Sequence, residues 1–122
     1  MLRHTVLYLA LSACLALPTW AADDDVMAGY FGNTAVVTGG RVDTHWLYSA
    51  DHTFVMKVPA FGMEFKGTWA VKAATLCRTF ESPPPGMDNP FCTSIEAHKV
   101  GDSWTATVGT DTRTITLVQG IQ

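Results

Sequence analysis

The sequence predicts an all-β domain, an up-and-down antiparallel β-barrel of about eight strands with a short N-terminal helix and one disulfide. Three observations predict this fold. Short runs rich in Val, Thr, Ile and aromatic residues recur from Asn33 onward, clusters of Gly, Pro, Asn and Asp separate them, and apolar residues alternate with polar ones within the runs. Closure into a barrel removes exposed sheet edges, which favours it over the alternative of a β-sandwich.

The chain begins with a predicted secretory signal peptide, residues 1–21. Basic "MLRH" precedes the apolar run "TVLYLALSACLALP", which is too short to span a bilayer comfortably, and "TWA" supplies small residues for cleavage near Ala21. Residues 22–122 would then form a single periplasmic or secreted domain. An alternative stays open, because "LSAC" resembles a lipobox in which Cys14 would be lipidated.

Charge limits the classes of partner. Without Arg3, the remaining chain carries seven basic against eleven acidic side chains, a formal charge of −4. This balance argues against nucleic acid or an anionic membrane surface as the main partner. We expect no metal and no cofactor, while the oligomeric state stays open.

The elements follow in order along the chain. Acidic residues at the start of "DDVMAGYFG" and the glycine at its end predict a short helix over 24–32. The predicted strands are "NTAVVTG", "RVDTHWLYS", "TFVMKVP", "MEFKGTWAVK", "ATLCRTF", "FCTSIEAHK", "SWTATVG" and "TRTITLV". A tight turn at 50–52 would place Tyr48 opposite Phe54, and His52 is a turn residue that tolerates a left-handed backbone.

Strand parity divides the side chains between two faces. The inner face is aromatic and aliphatic and extends through Phe91, Thr93, Ile95 and Ala97 to Trp104, Ala106 and Val108. The outer face is polar, with Glu64, Lys66, Glu96 and His98 among its members. Cys77 and Cys92 share the outer face, which fits a cross-strand disulfide in an oxidising compartment. A loop of about 15 residues would be closed, for a stabilisation of about 3 kcal/mol in the chain-entropy description.

Short motifs support a resemblance. "GNTAVVTG", "YSADHTF", "GTWAVKAATLC", a second cysteine and "VGDSW" resemble a group of small secreted proteobacterial domains of unknown function with a GNT…DGTF…GTW…LC…C layout. The chain departs from this layout at His52, where the group has glycine. The resemblance implies a periplasmic setting and a small barrel, and it implies no catalytic residue. The shape is similar to lipocalin-like (calycin) barrels by fold analogy.

Arg78 is the sharpest candidate for function. Parity groups this arginine with Leu76 and Phe80 on the inner face, where no carboxylate shares its parity. We therefore predict a binding protein that holds a small, partly apolar anion inside the barrel. The predicted ligand-binding residues are Arg78, Tyr48, Trp46, Trp69, Phe54 and Thr93. Two alternatives stay open: Arg78 extends to water at the barrel mouth, or side chains fill the interior completely.

Other functions have weaker support from the sequence. An enzyme could use Tyr48 as an acid beside Arg78, or His45 as a base paired with Asp43, and a surface metal site with His98 is conceivable. An envelope interaction protein or inhibitor could act through "FESPPPGMDNPFC", a stiff proline-rich loop with an exposed Met87, although such a loop is often only a connector.

Overall fold

The computed structural model describes residues 23–122, so the predicted signal peptide and Cys14 lie outside the described residues. Within them, eight strands form one antiparallel sheet, which confirms the predicted fold class. The strands are β1 (Thr34–Thr38), β2 (Thr44–Tyr48), β3 (Thr53–Val58), β4 (Met63–Lys72), β5 (Thr75–Phe80), β6 (Phe91–Ser94), β7 (Ser103–Val108) and β8 (Asp111–Val118). Two 3₁₀ turns, Asp25–Met27 and Pro59–Phe61, lie outside the sheet.

The sheet curls into a nearly closed barrel with a single interruption. Its strand order is β6-β5-β4-β3-β2-β1-β8-β7, so β1 pairs with β8 and the two ends of the sheet are β6 and β7. No ladder joins β6 to β7 in the described residues. The barrel therefore has one lateral gap, between two strands that are consecutive in sequence.

Strand register agrees with the predicted parity. Tyr48 faces Phe54 across the β2–β3 hairpin, and Cys77 faces Cys92 across β5 and β6. The two cysteines form a disulfide with their Cα atoms 4.0 Å apart. His52 adopts a left-handed backbone with φ 68°, as its turn position predicts.

Part of the barrel interior is filled by side chains. Phe54, Trp69, Leu76 and Phe80 are all buried there, and the rings of Phe54 and Phe80 meet edge to face at 5.0 Å. Gly67 of β4 makes this packing possible. A Cβ on Gly67 would overlap the carbonyl oxygen of Thr79 and contact the ring of Phe54.

The region from Ile95 to Asp102 differs from the prediction, because β6 ends at Ser94. The N-terminal turn packs against this segment: the Tyr30 hydroxyl donates to the carbonyl of Glu96, and a Cβ on Gly29 would overlap the carbonyl of His98. The alternation of side chains between the two faces therefore ends at Ser94 and does not apply to the residues that follow. The inward assignment of Ala97 is wrong, since Ala97 is exposed, and so is the outward assignment of His98, which is half-buried.

Two smaller expectations also need correction. Of the helix predicted over 24–32, only Asp24 and the 3₁₀ turn Asp25–Met27 are helical, and the fully buried Met27 anchors the turn. Val108, assigned to the inner face, is 39% exposed because it ends β7 at the hairpin to β8. In residues 23–122, no helix has the length and apolar character needed to cross a bilayer.

Candidate functional site

A cavity of about 1550 Å³ opens beside the β6–β7 gap. Consecutive residues of both end strands line it, Cys92 to Ser94 on β6 and Thr105 to Val108 on β7, so the gap itself is a wall of the cavity. Residues of β1, β2, β5 and β8 also line the cavity. The volume exceeds the roughly 300–1000 Å³ of common ligand pockets. The interior is thus filled on one side and open on the other.

Arg78 lies in this cavity and is only 7% exposed. Its Nε donates to the phenol oxygen of Tyr48 at 2.7 Å, and its Nη1 donates to the hydroxyl of Thr93 at 3.2 Å and the carbonyl of Phe91 at 3.4 Å. The guanidinium carbon lies 5.0 Å from the ring centroid of Trp46 and 5.1 Å from that of Phe91. Neutral acceptors and π-faces hold this cation in place.

The guanidinium has no anionic partner among residues 23–122. No carboxylate there comes within 4.0 Å of it. Nη2 has no hydrogen-bond acceptor in the same part of the chain. It is not buried, however, and remains accessible to solvent. Nη2 is therefore reachable from the cavity and keeps two N–H donors for a ligand.

Tyr48 supplies a further donor beside Arg78. Burial raises the pKa of its phenol, and the nearby Arg78 charge and hydrogen bond lower it only in part. The phenol therefore stays protonated at neutral pH. Its oxygen accepts from Arg78, and its own O–H proton is available for an acceptor in the cavity.

The N-terminal turn contributes an aromatic wall. Tyr30 meets Tyr48 edge to face at 6.0 Å and Trp104 at 6.3 Å. Burial is the main cause that raises the pKa of Tyr30, so this phenol is also neutral. All three aromatic residues line the cavity.

Four of the six predicted ligand-binding residues lie together in the cavity: Arg78, Tyr48, Trp46 and Thr93. Phe54 and Trp69 do not line it. They pack in the filled side of the barrel, where Trp69 stacks on His52 at 4.2 Å and donates its indole N–H to the carbonyl of Ser49 at 3.0 Å.

The proline-rich loop over 81–90 lies along the cavity. Asn89 fixes the loop to β5, because its side chain accepts from the N–H of Phe80 at 2.9 Å and donates to the carbonyl of Phe80 at 3.1 Å. Pro85, Gly86 and Met87 line the cavity. Met87 is half-buried against the core, so the expectation that it is exposed is wrong.

The polar residues of "DTHWLYSADH" are not brought to this cavity as a set. His45 lies on the outer side of β2 and lines a separate cavity of about 290 Å³ with Lys57 and Glu64. Asp43 is exposed and forms no ion pair with His45. His52 instead contacts the start of the described chain, with Nε2 2.6 Å from the carboxylate of Asp24. No group of three or more potential metal ligands occurs in the described chain.

His98 and Asp102 form a second polar group at the cavity. Nδ1 of His98 lies 3.2 Å from Oδ2 of Asp102, which also accepts from the backbone N–H of Lys99 at 3.1 Å. Both hydrogen bonds lower the pKa of Asp102, and the bond from the Lys99 N–H has the larger effect. The His98 ring stacks on Trp104 with centroids 3.5 Å apart.

Sequence reasoning missed Tyr30 as a site residue, and it considered His98 only for a metal site on the outer surface. Tyr30 follows a short helical turn, where strand parity offers no assignment, and His98 follows the end of β6. The nearest sequence signal is the pair of turn residues Gly101 and Asp102, which predicts a loop. Because His98 lies close to this loop, strand alternation does not predict which face its side chain occupies.

No family model, curated protein or solved structure matches the chain. The case for function therefore comes from the cavity and its residues.

Proposed function

We propose that the domain is a periplasmic or secreted binding protein that holds a small amphipathic anion in the barrel cavity. One observation carries the proposal: a cation that is 93% buried faces an open cavity with no carboxylate partner among the described residues. Burying a charge without an opposite charge costs several kcal/mol even after relaxation. A ligand anion would offset that cost when it binds.

The donors around Arg78 favour an anionic head group over a neutral one. Nη2 offers two N–H groups and Tyr48 offers its O–H, while the acceptors nearby are already bonded to the guanidinium. A planar carboxylate has two oxygens that match two adjacent donors, and charge-assisted hydrogen bonds of this kind are about twice as strong as neutral ones.

The remaining cavity wall favours an apolar body. Aromatic and aliphatic side chains supply about half of it, and the carboxylates that also line it, Asp88, Glu96 and Asp111, are exposed to solvent. The lining is Tyr30, Val37, Trp46, Phe91, Ile95, Trp104 and Ile115 among others. Burial of an apolar body against such a wall contributes about 25 cal/mol per Å².

Native mass spectrometry tests the proposal. The full sequence is expressed in a bacterium and compared with Arg78→Met and Lys72→Met. Lys72 is exposed at the end of β4, so Lys72→Met removes the same charge outside the barrel. We expect one small molecule per chain in the parent and in Lys72→Met, and none in Arg78→Met.

Calorimetric titration with dodecanoate complements the mass measurement. We expect a saturable signal for the parent and Lys72→Met only. Retention of the adduct by Arg78→Met would contradict the role of the guanidinium. A parent with neither an adduct nor a dodecanoate signal would contradict the binding function itself.

A further inference from the structure

The His98–Asp102 pair has a defined hydrogen-bonding polarity. Because the pKa of Asp102 is lowered, its carboxylate is ionised at neutral pH and only accepts hydrogen bonds. Nδ1 of His98, 3.2 Å from that carboxylate, must therefore carry a proton. In the neutral ring, Nε2 is then left as an acceptor.

Nε2 is accessible from the cavity. His98 lines the cavity and its side chain is 16% exposed. Among residues 23–122, no donor or acceptor forms a hydrogen bond with Nε2. This atom is accessible to solvent rather than buried. The ring is held between its stack on Trp104 and its bond to Asp102. His98 thus offers a fixed, unsatisfied acceptor.

A continuous aromatic wall joins this acceptor to Arg78. Tyr48 accepts from Arg78, Tyr30 contacts both Tyr48 and Trp104, and Trp104 stacks on His98. The charges of Arg78 and Asp102 both act on the Tyr30 phenol. The cavity therefore has a cationic end and an imidazole end with an aromatic surface between them.

We propose that the cavity recognises an elongated hydroxy acid, whose carboxylate binds Arg78 and whose distal hydroxyl donates to Nε2 of His98. This inference rests on the proposed function and adds the chemistry of the second end of the ligand. A hydroxyl on the terminal carbon would gain one hydrogen bond and satisfy the imidazole acceptor. We expect a preference of about three- to tenfold for the hydroxy acid.

Matched pairs of probes test the inference. Dissociation constants are measured by calorimetry for octanoic, dodecanoic and hexadecanoic acids and for their ω-hydroxy counterparts. The proteins are the parent full chain, His98→Phe, Asp102→Asn and Arg78→Met. His98→Phe keeps an aromatic ring that can stack on Trp104 and removes Nε2, so it separates the hydrogen bond from the packing.

The expected pattern is specific to each variant. At one or more chain lengths the parent prefers the ω-hydroxy acid, His98→Phe binds both members of the pair equally, and Asp102→Asn shows a reduced preference because the imidazole tautomer is no longer fixed. Arg78→Met weakens both members alike. This pattern would show that the carboxylate end of the ligand binds at Arg78 and that the hydroxyl end binds at His98.

The failures are distinguishable. Equal affinity of the parent for both acids at every length, with binding still dependent on Arg78, overturns the hydroxy-acid inference and leaves the anion site standing. A hydroxy-acid preference that persists in His98→Phe overturns the assignment to His98. Absence of binding for all probes overturns this inference and the proposed function together.

Discussion

Arg78 on β5 donates a hydrogen bond of 2.7 Å to the phenol oxygen of Tyr48 on β2, although β3 and β4 separate these strands in the sheet. The bond crosses the barrel interior, and Arg78, which donates it, is only 7% exposed. Because Tyr48 remains neutral, the bond orients the guanidinium without neutralising it. The charge is left for whatever enters the cavity.

The first prediction concerns the stability of the free protein. Arg78→Met should leave the free energy of unfolding unchanged or raise it by about 1 kcal/mol, because an apolar side chain of similar length replaces a desolvated charge. Urea unfolding followed by tryptophan fluorescence measures the difference. Arg78→Ala serves as the comparison, since it creates a void and should be less stable than Arg78→Met. A loss of more than about 2 kcal/mol in Arg78→Met would show that the cation stabilises the barrel.

Most of the fold could be predicted from the sequence because strand alternation and turn residues act locally. The ten-residue strand Met63–Lys72 has the predicted bounds, and the facing pairs Tyr48–Phe54 and Cys77–Cys92 follow from parity and a short turn. Arg78 was found for the same reason. Its parity places it among hydrophobic residues, where a cation requires an explanation.

The rest of the site depends on contacts between distant segments. Tyr30 reaches the cavity because the N-terminal turn packs against Glu96, which lies 66 residues later in the sequence. No local sequence pattern predicts that contact. Parity also says nothing about volume, so Phe54 and Trp69 were placed on the correct face and yet lie in the filled side of the barrel. Which inner residues line a cavity depends on where the sheet fails to close.

The docking of the N-terminal turn gives a second prediction. Gly29→Ala should destabilise the domain by about 3 kcal/mol and displace the His98 segment, because the added Cβ overlaps a backbone carbonyl that cannot rotate away. Gly109→Ala is the control: it meets no atom within 4 Å, and its φ of 64° costs about 1–2 kcal/mol. Thermal or urea unfolding compares the two. Equal losses would mean that the N-terminal turn does not pack closely against the His98 segment.

A third prediction follows from the lowered pKa of Asp102. Its carboxylate accepts from the N–H of Lys99 and from His98, so the native state holds the ionised form more strongly than the unfolded chain does. Its contribution to stability is present above the unfolded pKa, near 3.9, and is lost as pH falls through the lower folded pKa. Urea midpoints between pH 2 and 7 should therefore fall less steeply at the acid end for Asp102→Asn than for the parent. Parallel curves would contradict the pKa direction.

The two described tyrosines allow a fourth prediction at alkaline pH. Burial raises the pKa of Tyr30 and Tyr48 above the ordinary value near 10, and in a Tyr8→Phe variant these are the only tyrosines of the chain. A raised folded pKa stabilises the native state fully below pH 10, and this stabilisation is lost as pH rises further, since the unfolded chain then releases protons that the native state retains.

Absorbance at 295 nm and far-ultraviolet circular dichroism, recorded together from pH 8 to 13, measure this behaviour. We expect no phenolate signal with a midpoint near 10 in the native protein, and then a rise in absorbance that coincides with loss of the β-sheet signal. The same chain in concentrated urea should titrate near pH 10, which calibrates the amplitude for two phenols. A native titration near pH 10 with unchanged dichroism would mean that one phenol is in contact with bulk water, which would contradict the raised pKa of that tyrosine.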